Sequence, residues 1–297
     1  MRPCCVLCRT RPARCITSLY LCMKGTLYIV STPIGNLEDI TLRALRVLKE
    51  VDAVAAEDTR HSSKLLHHYG ISKPLLSYWG EKEKVKSEEV LEKLLSGQSV
   101  ALISDAGTPG ISDPGSVLIG KALKEGISIV PVPGPSALIA ALSLSGLLVN
   151  EFTFIGFLPP KKTQRQKALV ELKTERRTLI FYEAPHRVVE TVEDMIGIFG
   201  DRTAALIKEL TKIHEEVLRG SLAEIFEMMG EKTVAGEYVI VVEGRHEGAR
   251  SFDEALDEVR MLMKKGKGRK EAVKMVSAQY GLSKKELYDR SLVNEAG

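Results

Sequence analysis

Two aspartates, Asp105 and Asp113, lie in the stretch SDAGTPGISDPGS (104–116), with three glycines, two prolines and four hydroxyl side chains. Glycine lets a ligand come close to backbone amides, and proline keeps the loop stiff. The carboxylates add negative charge and hydrogen-bond acceptors. Two further stretches share this make-up: STPIGNLED (31–39), which contributes Asp39, and PVPGPS (131–136). None of the three contains lysine or arginine, so a pocket built from them suits a cation with hydroxyl or amino groups. S-adenosylmethionine, with a sulfonium, an ammonium and a ribose, is such a ligand. The phosphate-binding patterns GxGxxG and GxxxxGK[ST] are both absent. Asp105 and Asp113 could ligate a metal, but a spacing of eight with no histidine nearby makes a metal site the weaker reading.

Groups able to move a proton cluster at two other places. Glu57, Asp58, Arg60 and His61 follow the apolar run VDAVAA, and Glu183, His186 and Arg187 follow TLIFY. An acid or histidine from either set could accept a hydroxyl proton. Arg60 or Arg187 could hold a phosphate. Equally, Glu57, Asp58 and Arg60 could cap the next helix or pair with one another. Both readings stay open on sequence alone.

Positive charge is concentrated in two regions. Lys161, Lys162, Arg165, Lys167, Lys173, Arg176 and Arg177 follow the stiff dipeptide Pro159-Pro160. Between Lys264 and Lys285 stand eight lysines or arginines, Lys264, Lys265 and Arg269 among them, against one acid, Glu271. Either region could neutralise phosphates of a nucleic acid, or simply be a solvated face.

The elements that must carry these residues follow from periodicity. Apolar runs at 27–31, 51–58, 74–79, 99–104 and 127–133 alternate with helical patterns at 41–50, 62–70, 83–98, 116–126 and 136–146. That rhythm describes βαβ units and a parallel sheet. Ligands bind at the carboxyl ends of such strands, where all three glycine-proline loops fall. The second half reads as strands at 152–157, 178–183, 202–209, 214–220 and 237–244. Helices fall at 186–200 and 221–230, and the Thr163–Gln166 capping box opens another. Several strands follow one another without a helix between them, which predicts a mixed sheet. Capping boxes at Ser251–Glu254 and Ser283–Glu286, with a glycine turn between helices, predict a helix-turn-helix-like end.

The expected organisation is a leader at 1–22, α/β domains at 23–150 and 151–248, and a helical domain at 249–297. With 297 residues, 44% of them hydrophobic, each α/β domain can bury a proper core. All five cysteines fall within the first 22 residues, which excludes a disulfide framework inside the fold. Cys5-Val-Leu-Cys8 has zinc-ligand spacing but no second pair nearby. The leader is arginine-rich and acid-free, as transit peptides are. The strand pattern starts directly after Met23, so the preferred reading is a start at that methionine. No stretch approaches the roughly 20 apolar residues that a membrane span needs.

Six stretches in order, TPIGNLEDIT, AEDTRHSSKLL, SDAGTPGISDPG, PVPGPSA, GFLPPKK and FYEAPHR, resemble the tetrapyrrole methylase superfamily. Within it they are similar to the branch that acts on small-subunit ribosomal RNA as (cytidine-2'-O)-methyltransferases. The resemblance covers about residues 25 to 245. It implies two α/β domains with S-adenosylmethionine in the cleft between them, and a helical accessory domain. It implies a cytoplasmic homodimer acting on a cytidine of the decoding centre in 16S ribosomal RNA, as free RNA or as the assembled 30S subunit. For the cofactor it implies Ile34, Gly35 and Asn36 in the first loop, although Asn36 stands where other members have an aspartate. It adds Asp105, Gly107 and Thr108 in the second loop and Ser136 and Ala137 in the third. Tyr182 and the Ala235-Gly236 turn are expected to close the pocket from the second domain. Catalysis would fall to Glu57, Asp58, Arg60 or His186, and RNA contact to Lys161, Lys162, Arg165, Arg187, Lys264, Lys265 and Arg269. A tetrapyrrole-like acceptor, or a non-catalytic RNA-binding factor, are the alternatives.

Overall fold

A computed structural model describes residues 24–78, 83–230, 235–245, 252–280 and 282–293. The expected leader with its cysteines lies outside the described residues, as does Ser251 of the expected capping box.

The first sheet is parallel throughout. Its strands are β1 (Thr26–Val30), β2 (Ala53–Ala56), β3 (Leu75–Ser77), β4 (Val100–Ile103) and β5 (Ser128–Val132), in the order β3-β2-β4-β1-β5. The runs AVAA and VALI are buried at every position, because helices cover both faces. Alternate residues serve opposite cores. Val54, Ala56, Ala101 and Ile103 pack on α1 (Leu42–Glu50) and α2 (Thr59–His68). Ala55, Val100 and Leu102 pack on α3 (Glu83–Leu95) and α4 (Ser116–Lys124).

The second sheet is mixed, as its closely spaced strands predict. Its order is β6 (Phe152–Phe157), β7 (Thr178–Glu183), β10 (Tyr238–Val242), β8 (Thr203–Lys208), β9 (Glu216–Ser221). Only β6 and β7 run parallel; the other pairs are antiparallel. One face packs on α6 (Lys162–Leu172), α7 (Val188–Phe199) and α8 (Leu222–Met229). The other face, with Ile180, Ala205, Ile207, Val239 and Val241, is covered by α5 (Ala137–Ser145) through Ala141 and Leu142. The helix that leaves the first sheet thus roofs the second, and this brings the two sheets' strand ends together.

One capping expectation is corrected. Helix α6 starts at Lys162, with Lys161 at the cap, so Thr163 lies inside the first turn. Gln166, the expected box partner, instead donates to Asp194 Oδ1 at 2.7 Å. A reciprocal box forms at α8, where the Ser221 hydroxyl accepts from Glu224 N–H and the Glu224 carboxylate accepts from Ser221 N–H. Helices α9 (Phe252–Lys264), α10 (Arg269–Tyr280) and α11 (Lys284–Val293) close on a core of Ala255, Leu256, Val259, Ala272, Val273, Val276 and Leu287.

Candidate active site

Strands β4, β1 and β5 are parallel neighbours, so the loops that follow them leave from one edge of the sheet. Those loops are stitched together. Thr32 N–H donates to the Gly107 carbonyl at 2.8 Å, and Gly107 N–H donates to the Thr32 carbonyl at 3.1 Å. The Ser31 and Thr108 hydroxyls lie 2.8 Å apart. Gly107 has φ +78°, a left-handed conformation that this exchange requires and that suits glycine. Across the cleft, an ideal Cβ on Gly156 would stand 2.9 Å from the Ser112 hydroxyl oxygen. The close passage of β6 past the second loop therefore needs glycine there.

Between the two sheets lies a cavity of about 340 Å³, the size of a small-molecule site. The first half contributes Ile34, Gly107, Thr108, Asp113, Ser136 and Ala137 to its wall. From the second half come Phe157, Tyr182, Glu183, Leu210, Glu237 and Val239. No lysine or arginine lines it among the described residues. Tyr182 is packed edge-on by Phe154 and Phe157, with ring centroids 5.0 and 5.6 Å away. Its hydroxyl lies beside Leu138 in the first turn of α5, and burial raises its pKa. Ser136, at the cap of that helix, makes no side-chain capping bond.

Six expected cofactor residues (Ile34, Gly107, Thr108, Ser136, Ala137 and Tyr182) meet at this cavity. The others do not. Gly35 is pressed against Lys212 and the Leu210 carbonyl, where a side chain would collide. Asn36 accepts from Glu38 N–H at 3.0 Å and caps a short 3-10 turn. Asp105 turns toward the end of β2 and accepts from Asp58 N–H at 3.1 Å. Gly236 packs on the Glu209 carboxylate and exposed Ala235 stands away from the wall, so Glu237, Tyr238 and Val239 take the place expected of that turn.

Carboxylates crowd the cleft edge. Burial pushes the Asp113 carboxyl up to about 6; a hydrogen bond with Ser104 opposes the shift and the charge of Asp105 adds to it. Burial also raises Glu57, helped by the charges of Asp105 and Asp113. Asp58 behaves as the capping alternative has it. Its carboxylate accepts from Arg60 N–H at 2.8 Å and pairs with the Arg60 guanidinium at 2.8 Å, which draws its pKa down to about 2. His186 is exposed, while its neighbours Ala184 and Pro185 line the cavity.

Two of the expected RNA contacts are engaged within the fold. Arg165 is buried, with Nε 2.7 Å from Asp194 Oδ2 and Nη2 3.2 Å from Glu190 Oε2. Arg187 pairs with buried Glu183 at 3.1 Å and donates to the Leu158 carbonyl at 2.7 Å. Glu183 also accepts from the Thr191 hydroxyl and Ala184 N–H, so its carboxylate is fully engaged. Lys161, Lys162, Lys264 and Lys265 are exposed, and Arg269 is half-buried. Leu210 and Glu237 are cavity residues that the sequence reading missed. Leu210 sits between Glu209 (φ 51°) and Thr211 (φ 66°), a bend that no glycine or proline marks.

The family model for Tetrapyrrole (Corrin/Porphyrin) Methylases matches residues 26–225. The chain belongs to this family. Among similar members, the Halalkalibacterium halodurans protein named ribosomal RNA small subunit methyltransferase I is 46% identical over 272 residues, covering 90% of this chain and 94% of its own. The Bacillus subtilis protein of that name is 43% identical, covering 89% and 93%. Solved structures share the tetrapyrrole methylase fold. Uroporphyrin-III-C-methyltransferase from Thermus thermophilus matches with TM-score 0.54 at 21% identity, over 74% of this chain and 94% of that one. A diphthine synthase matches with TM-score 0.58 at 18% identity, over 74% and 90%.

Proposed function

We propose that this tetrapyrrole methylase transfers the methyl group of S-adenosylmethionine to the ribose 2'-hydroxyl of a cytidine in small-subunit ribosomal RNA. The observation that carries the reading is its likeness, at 46% identity over nine-tenths of the chain, to a protein named for methylating that RNA. The cavity fits the methyl donor. It has apolar walls at Ile34, Leu210 and Val239, and a carboxylate, Asp113, that pairs with no lysine or arginine among the described residues. The donor supplies an electrophilic methyl on a sulfonium, so in-line placement of the hydroxyl provides much of the acceleration.

In this reading Asp113 offsets the ligand's positive charge, and the N-terminal end of α5, where Ser136 makes no capping bond, receives its acceptor groups. Tyr182 fixes that helix end from the second sheet. Glu57 is the acid at the end of β2 that suits proton acceptance, because Asp58 and Arg60 are committed to each other. Exposed Lys161, Lys162, Lys264 and Lys265 hold RNA phosphates. The chain acts as a cytoplasmic homodimer on free RNA or the 30S subunit. No helix among the described residues is long and apolar enough to cross a membrane.

Radiolabelled methyl transfer to immature small subunits, followed by nucleoside analysis, tests the reading. Label in 2'-O-methylcytidine is the expected result. Label in a base, or none in RNA, would overturn it.

A further inference from the structure

The second sheet has an edge that faces away from the cleft. Strand β7 reaches the cavity at Tyr182 and Glu183 and begins at Thr178, five positions before Glu183 and roughly 17 Å away. At that far edge β10 ends, β8 begins, and the chain leaves α6 and α7. A groove opens there, lined by Lys173, Thr174, Arg202, Thr203 and Arg245.

Its central guanidinium is held in place. Arg202 lies over the Phe199 ring, 4.7 Å from the centroid, and donates to the carbonyls of Glu243 and Lys173. Both of these acceptors are neutral, so its charge is uncompensated by them. Burial, and then the neighbouring charge of Arg245, hold the Arg202 guanidinium below its ordinary value. Two carboxylates also border the groove. Asp201 accepts from Ala223 N–H at 2.9 Å and keeps its charge, so three basic side chains stand against two acidic ones around the groove. Basic side chains outnumber acidic ones here, and Arg202 feels the like charge of Arg245, so an entering anion relieves that repulsion. A fixed guanidinium presents its remaining N–H groups in the fork that matches phosphate oxygens.

We propose that the groove formed by Lys173, Arg202 and Arg245 binds a phosphate of the RNA backbone, remote from the methyl-transfer cleft. This rests on the reading of RNA as the acceptor.

The test uses the full chain, with Lys173→Gln/Arg245→Gln as the main variant and Arg202→Gln as a second. Arg202 also ties two carbonyls, so the main variant leaves it in place. Binding to protein-free small-subunit ribosomal RNA is measured across salt concentrations, with S-adenosylmethionine affinity by calorimetry as the control for folding. The expected result is RNA affinity weakened several-fold and a salt slope shallower by about one, with cofactor affinity unchanged. An unchanged slope and RNA affinity in the main variant overturns the groove while leaving the RNA reading intact. Loss of binding to assembled subunits but not to protein-free RNA also overturns it, since the groove would then hold a ribosomal protein. If the unaltered chain binds RNA without salt dependence, the RNA reading itself falls, and the groove with it.

Discussion

Thr32 and Gly107 exchange both of their backbone hydrogen bonds, which makes the loops after β1 and β4 one mechanical unit. Gly107 holds φ +78° within it, and an ideal Cβ there would make only an ordinary contact, 3.5 Å from Ile34 Cγ2. Gly107→Ala is therefore expected to cost about 1–3 kcal/mol through backbone strain rather than collision. It should weaken cofactor binding as Ile34 and Thr108 shift. Denaturant melts and calorimetry check the two effects separately.

Asp113 carries a pH dependence. Its folded-state pKa is pushed up to about 6, so stability from this group is fully present below 3.8 and is lost as pH rises through about 6. Asp113→Asn is expected to be the more stable protein, relative to the parent, at pH 8 than at pH 4. A cationic ligand prefers the ionised carboxylate, so cofactor affinity in the parent should fall as pH drops below about 6. The Asn variant should lose both that pH dependence and about ten-fold in affinity at neutral pH, roughly 1.4 kcal/mol. Calorimetric titrations between pH 5 and 8 decide the matter, with Glu57 and Asp105 as the neighbouring carboxylates that could broaden the profile.

Glu57 and Asp58 are adjacent and should behave differently. Glu57→Gln is expected to reduce kcat by roughly 10²-fold or more while cofactor affinity stays put. Asp58→Ala removes a helix cap and should cost about 1 kcal/mol of stability without abolishing transfer. Equal kcat losses in both variants would count against a proton-accepting role for Glu57.

Arg165 distinguishes buried from exposed basic residues. Arg165→Met strands Asp194, which is 4% exposed at its side chain, and should destabilise the fold by about 3–5 kcal/mol. Lys161→Glu/Lys162→Glu should leave thermal stability nearly unchanged and weaken RNA binding. Thermal melts and RNA titrations on both proteins separate the two kinds of residue.

Much of this architecture is legible because it depends on local patterns. Strands such as AVAA and VALI are uninterrupted apolar runs, and they are buried whole. Loops dense in glycine and proline sit where parallel strands end, which locates Ile34, Gly107, Thr108, Ser136 and Ala137 at the cavity. The partners of charged side chains are not local. Arg165 belongs to a run of seven basic residues and reads as surface, yet its counter-ion Asp194 is 29 positions away on α7. Arg187 likewise looks free until β7 and α7 bring Glu183 and Thr191 around it. The bend at 209–212 uses left-handed Glu209 and Thr211 instead of glycine, so no residue type announces Leu210 as a cavity residue. Asp105 and Asp113 are chemically equivalent on paper. Only the turn of the loop decides which one faces the cavity.

Helix α5 belongs by connection to one sheet and by packing to the other. Cleaving the chain near residue 150 would therefore not release two independent globules. The downstream fragment would carry Ile180, Ala205, Ile207, Val239 and Val241 as a bare greasy surface, prone to clumping. Only the short stretch between Val132 and Ala137 joins that helix to β5, so the first sheet is moored directly to the roof of the second.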